Sequence, residues 1–186
     1  MGPVLQSEYI QAGFDRQVHV AIENLGHWHA VVGDRPTVIQ TNGSDFGPQN
    51  GPSCSVAKDH KLYLPYQKRV IGWIHRHTNW KTLMHCCDGI TPLLDSVVEA
   101  EFDILNPVRC FEKGMNARPL KQRYGKRLVF WGGVNMPFAR SQEVRKRAKV
   151  FAPGGGFGFS TIHNSFAHTP LENIFAVFKV LKEYRK

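Results

Sequence analysis

The chain has 186 residues, 42% of them hydrophobic and 21% charged, which is the makeup of one globular domain, and 11% aromatic residues exclude a disordered chain. A net charge of +9 and a pI of about 9.6 favour acidic partners, but no DNA- or RNA-reading signature accompanies them, so nucleic acid is not expected. The longest apolar runs fall far short of the ~18 residues of a membrane span, and no membrane association is expected.

The opening MGPVLQSEYIQ lacks a secretory apolar region. Cys54, Cys86, Cys87 and Cys110 do not form a disulfide framework, since two of them are adjacent. The expected compartment is a reducing cytoplasm, where closely spaced Cys and His more often serve metals or catalysis than disulfides.

A flexible or helical lead-in is expected over about 1–14. From Gln17 to Val32 apolar residues recur at helical spacing: Val18, Ala21, Ile22, Leu25, Trp28, Val31 and Val32. A strand follows at 37–40, then the Gly-, Pro- and Asn-rich loop TNGSDFGPQNGPSCS. Pro65 opens a second helix with Val70, Ile71 and Ile74 on one face. His75 and His77 at its end are expected to face solvent. Residues 82–84 form the next strand, and Thr91-Pro92 starts a helix that buries Leu93, Leu94, Val97 and Val98. A strand at 102–105 is stopped by Asn106-Pro107. A short helix at 119–124 precedes a strand at 127–131, stopped by Gly132-Gly133. A polar helix spans 142–148, a strand 156–160, and a last helix 171–183 buries Ile174, Phe175, Val177, Phe178 and Leu181. Basic residues occur throughout, most densely in RKRAK at 145–149, where they read as a solvated helix face.

Strand and helix alternate five times, which argues for parallel βαβ units in one domain spanning 1–186. Polar residues stand just past most strands: Asn42, Ser44 and Asp45; then His85, Cys87 and Asp88; then Asn106; then Asn135; then His163 and Asn164. A (β/α)8 TIM barrel builds its site from such strand ends, and an open α/β sheet shares the habit. No G-x-G-x-x-G follows the first strand, which leans towards the barrel. The triglycine 154–156 precedes a strand and opens no helix, so it is no phosphate cradle.

The stretch MHCCDG, 84–89, carries the densest chemistry. Residues i and i+2 of a strand share a face, so His85 and Cys87 point together while Cys86 turns away to the core. Imidazole and thiolate are zinc ligands. A packed strand end with a buried thiol has the same pattern. Asp45 is a candidate catalytic or substrate-binding acid, with an Asx-type turn at Asp45-Phe46-Gly47 as the plainer reading.

Five stretches, in order, resemble one superfamily: SDFGPQNGPSCS (44–55), MHCCDG (84–89), EFDILNPV (101–108), KGMNARPLKQRYGKRLVFWGGV (113–134) and GGGFGFSTIHN (154–164) with PLENI (170–174). Together they look like the C-terminal part of the uroporphyrinogen decarboxylase superfamily, which also holds cobalamin-dependent methyltransferases. The resemblance runs from about residue 15 to 183. It implies an incomplete TIM-barrel-like domain of about five parallel strands with flanking helices; about three of the eight strands find no counterpart. A homo-oligomer or a partner chain would then complete the barrel.

The methyltransferase branch resembles the His85-x-Cys87 pair at this strand end and has a further cysteine at the end of its last strand, where His163 stands here. The implied metal set is His85, Cys87 and His163 holding zinc, with Asp88 as substitute or outer partner in a place where the family has glycine. Asp45 and His163 are the implied catalytic residues, and Asn106 and Asn164 the cofactor contacts. The implied activity moves a methyl group between a corrinoid, usually on a separate protein, and a thiol or similar small-molecule acceptor. Uroporphyrinogen decarboxylation in porphyrin (heme) biosynthesis and a truncated, non-catalytic barrel subunit are the alternatives.

Overall fold

The computed structural model describes residues 7–43, 45–47, 51–87, 89–110, 114–134, 141–161 and 167–184. Its elements alternate as expected. They are α1 (Ser7–Val32), β1 (Val38–Asn42), α2 (Val56–Leu62), α3 (Leu64–His77), β2 (Lys81–His85), a 3-10 turn (Thr91–Leu93), α4 (Leu94–Glu99), β3 (Ile104–Val108), α5 (Ala117–Tyr124), β4 (Val129–Val134), α6 (Ser141–Phe151), β5 (Phe157–Thr161) and α7 (Leu171–Tyr184). The five strands form one sheet in the order β1-β2-β3-β4-β5, every pair parallel. Each strand therefore lies beside its sequence neighbour, and each connection crosses over through helix, the arrangement of a barrel wall. No helix among the described residues is long and apolar enough to cross a membrane.

Local chemistry sets the element ends. Ser55 caps α2, its Oγ accepting the Lys58 N–H at 3.3 Å. Pro65 sits in the first turn of α3, where its missing N–H costs nothing. At the far end Thr78 Oγ1 donates to the Ile74 carbonyl at 2.9 Å.

Two expected strand stops do not stop. β3 runs through a cis Asn106–Pro107 bond, with a register shift between Leu105 and Val108. β4 runs through both glycines, which take φ of +124° and +93°. A Cβ on Gly132 would come within 3.0 Å of the Val108 backbone nitrogen and 3.1 Å of Pro107 Cβ. The glycines thus let two strands approach closely instead of ending one.

One face of the sheet packs on helices. Met84, Cys86, Leu105 and Phe130 join Ile90, Leu94, Leu120 and Phe151 in the main core. Leu25, Ile74 and Trp80 form a smaller cluster beside β1, and Val144, Val177 and Val180 another between α6 and α7. Helical periodicity overstated burial in α7, where Phe175 and Phe178 are 67% and 59% exposed; Trp28 and Val31 of α1 are also exposed. Each helix spends its other face on its neighbour, α1 on α3 and α7 on α6.

Candidate functional site

The C-terminal ends of β2 and β3 meet side by side. His85 and Asn106 are direct cross-strand partners. Their side chains share a face, and Asn106 Oδ1 accepts from His85 Nδ1 at 2.7 Å. That bond puts the ring proton on Nδ1 and leaves Nε2 as an acceptor, turned towards the Cys87 thiol. Nε2 lies 3.4 Å from Cys87 Sγ. Cys86 points the other way, 2% exposed and within the main core, as alternation requires.

The backbone around Cys87 is held at three points. Asp45 Oδ1 accepts the Cys87 N–H at 3.0 Å, Arg109 Nη1 donates to the Cys87 carbonyl at 2.7 Å, and the Cys86 N–H donates to the Asn106 carbonyl at 2.8 Å. Asp45 thus reaches the site from the β1 loop, in a positioning contact. Asn106 is engaged by His85. Arg109 was missed by sequence reasoning, since it stands one residue past β3 with no motif around it. The equal register of β2 and β3 is the signal that could have paired Asn106 with His85.

The remaining candidates fall elsewhere. Ser44, Asp88, Asn135, His163 and Asn164 lie outside the described residues. Asn42 ends β1. None of the four cysteines is in a disulfide. Burial pushes the Cys110 thiol up to about 11 against the pull of Arg147, and burial followed by the charge of Asp59 raises Cys54. Neither is a ready thiolate. His75, expected in solvent, instead donates from Nε2 to Asp103 Oδ2 at 2.9 Å, tying the end of α3 to the start of β3.

The donor chemistry fits a soft divalent metal. Sulfur and nitrogen bound at ~2.3 and ~2.1 Å to one tetrahedral zinc stand about 3.6 Å apart. His85 Nε2 and Cys87 Sγ are already within 0.2 Å of that spacing, at 3.4 Å. Asn106 supplies the outer hydrogen bond that metal-binding imidazoles usually make. No group of three or more His, Cys, Asp or Glu able to hold a metal occurs among the described residues.

The model of the family described as Uroporphyrinogen decarboxylase (URO-D) matches residues 55–184. The chain belongs to this family. Among solved structures, a methyltransferase from Methanosarcina mazei superposes with a TM-score of 0.69 at 19% identity, over 98% of this chain and 52% of that one. The likeness places the URO-D chain in a TIM-barrel-like fold, and it spans about half the length of that structure. Curated proteins gave no match. The URO-D match takes in β2 to β5 and so contains both His85 and Cys87, whereas β1 and Asp45 precede it.

Proposed function

We propose that this URO-D family chain is a zinc-dependent methyltransferase, moving a methyl group between a corrinoid and a thiol or similar acceptor. The convergence of His85 Nε2 and Cys87 Sγ at 3.4 Å carries the reading. His163 is the intended third ligand. Zinc, when bound, holds an acceptor thiol in its deprotonated, nucleophilic form at neutral pH. The acceptor sulfur forms a bond to the methyl carbon while the carbon–corrinoid bond breaks, its electron pair staying with the corrinoid and the thiol proton passing to solvent.

The chain's own residues prepare this chemistry. Asn106 holds the His85 tautomer, and Asp45 and Arg109 lock the turn that presents Cys87. The fold likeness to a methyltransferase of about twice the length supports completion of the sheet by a partner or a second copy. Metal analysis of protein purified without chelator tests the reading. We expect one zinc per chain, lost in Cys87→Ser and in His85→Ala. Zinc retained by Cys87→Ser at full stoichiometry would end it. The family match supports one competitor, metal-independent decarboxylation; turnover of uroporphyrinogen by the metal-free protein would put that reading first.

A further inference from the structure

A cavity of about 830 Å³ opens between the N-terminal half of α1, the loop after β1, and helices α2 and α3. This volume lies in the range of small-molecule sites, ~300–1,000 Å³. Its lining excludes His85 and Cys87 but includes Asp45. The cavity is therefore a neighbour of the metal-type site, sharing one residue with it.

One side of the cavity is an aromatic wall. Phe14 of α1 packs at 5.6 Å from Tyr63 and 5.2 Å from Tyr66, and Phe46 packs edge-on to Tyr63 at 5.6 Å. The rings tilt 51–79° to one another, so the four, drawn from α1, the α2–α3 junction with α3, and the loop after β1, form a faceted apolar wall. Such centroid spacings leave no room for a cation to be boxed between rings. What the wall offers is a broad apolar surface for something laid against it. Val18, Ala21 and Ile71 extend it.

The polar end is equally specific. Lys58 lines the cavity and is exposed, so its ammonium stands at the solvent side. Arg69, the other cation near the wall, is occupied by Asp15 and lies over the Tyr66 ring. Asp45 Oδ1 is taken by the Cys87 N–H. Among the described residues that line the cavity, Lys58 is thus the cation left to meet a ligand. We infer that this cavity binds a planar, mostly aromatic molecule bearing one anionic group, its rings against Phe14, Tyr63 and Tyr66 and its anion at Lys58.

The test uses a probe with that chemistry, 8-anilinonaphthalene-1-sulfonate, titrated by fluorescence into metal-free folded protein at pH 7. Metal-free protein keeps the outcome separate from that of the zinc reading. We expect one saturable site per chain with a blue-shifted emission. Ala21→Trp, which fills the cavity with an indole, removes the site. Phe14→Ala, which thins the wall, weakens it. Lys58→Gln weakens the probe by about threefold, the scale of an exposed ion pair, and leaves the uncharged analogue N-phenyl-1-naphthylamine unaffected. Several sites per chain, or one site indifferent to both Ala21→Trp and Phe14→Ala, overturns the assignment. If circular dichroism shows that Ala21→Trp is unfolded, Phe14→Ala decides alone. Equal loss of both probes in Lys58→Gln overturns the anionic part.

Discussion

Asp103, at the entry to β3, gathers more polar contacts than any motif announced. Its Oδ2 accepts from the Thr82 N–H at 2.8 Å, from Thr82 Oγ1 at 3.0 Å and from His75 Nε2 at 2.9 Å, while Lys81 Nζ lies 3.3 Å from Oδ1. Burial alone would push its pKa up; the Thr82 and His75 hydrogen bonds and the Lys81 charge outweigh burial and hold it below the usual carboxylate value. A depressed folded pKa means stability that is fully present above the unfolded pKa, ~3.9, and lost as pH falls through the folded value. Asp103→Asn should therefore cost about 1–3 kcal/mol in urea melts at pH 7, and the gap from wild type should close as the melts are repeated towards pH 2. A gap constant with pH would mean the carboxylate charge contributes nothing. Asn106 makes a different prediction. Asn106→Ala removes the Oδ1 that fixes His85, and zinc affinity by titration calorimetry should fall about 10–100-fold while thermal stability of the metal-free protein changes little. An unchanged affinity would show that His85 needs no orienting partner.

At the scale of elements, β4 shows where sequence patterns inform and where they mislead. Gly132 takes φ +124°, with the Val108 nitrogen 3.0 Å from where a Cβ would lie. Gly132→Ala should lower stability by about 1–3 kcal/mol, the cost of a strained backbone region, read as a shift in denaturant midpoint with an unchanged slope; a shift under a few tenths would refute the close approach. From sequence, Gly132-Gly133 and Asn106-Pro107 read as punctuation because both pairs usually end strands. Inside this sheet the same residues permit a tight crossing and a register shift, which only the neighbouring strand reveals. The order of strands and helices was legible because period-2 and period-3.6 patterns alternate cleanly, and Cys86's inward turn followed from alternation alone. Phe175 and Phe178 were misread because periodicity marks an apolar stripe without saying whether a neighbour lies against it. Helix α2 was missed because a polar VAKDHKL has little apolar periodicity to show; its Ser55 cap was the available sign. At the site, the His85–Cys87 pair was legible by spacing, while Arg109 and the partnership of Asn106 required the register of β2 against β3.

Over the whole molecule, the +9 charge is unevenly shared. Residues 114–186 hold 14 basic and three acidic residues, a net of +11, and residues 1–113 hold 10 and 12, a net of −2. In sequence the cations look scattered. Folding stacks α5 on α6 and α6 on α7, so the helices that carry nine of these cations lie side by side. Leu171, Phe175 and Phe178 lie exposed one turn apart along α7. We expect this apolar strip to act as a contact surface. The double variant Phe175→Ser, Phe178→Ser should leave the unfolding free energy within about 0.5 kcal/mol of wild type and reduce self-association in sedimentation velocity at high protein concentration. A collapse in stability would mean these rings are structural. The sequential strand order has a further consequence, in how the molecule opens. Every strand is held by its chain neighbours, and among the described residues β1 and β5 have a partner on one side only and half-buried residues throughout or nearly so. Leu105 and Phe130 at the centre are fully enclosed. Fluctuations should peel the sheet from its margins inward, one βα unit at a time, so that amide deuteration of β1 and β5 proceeds well before that of β3.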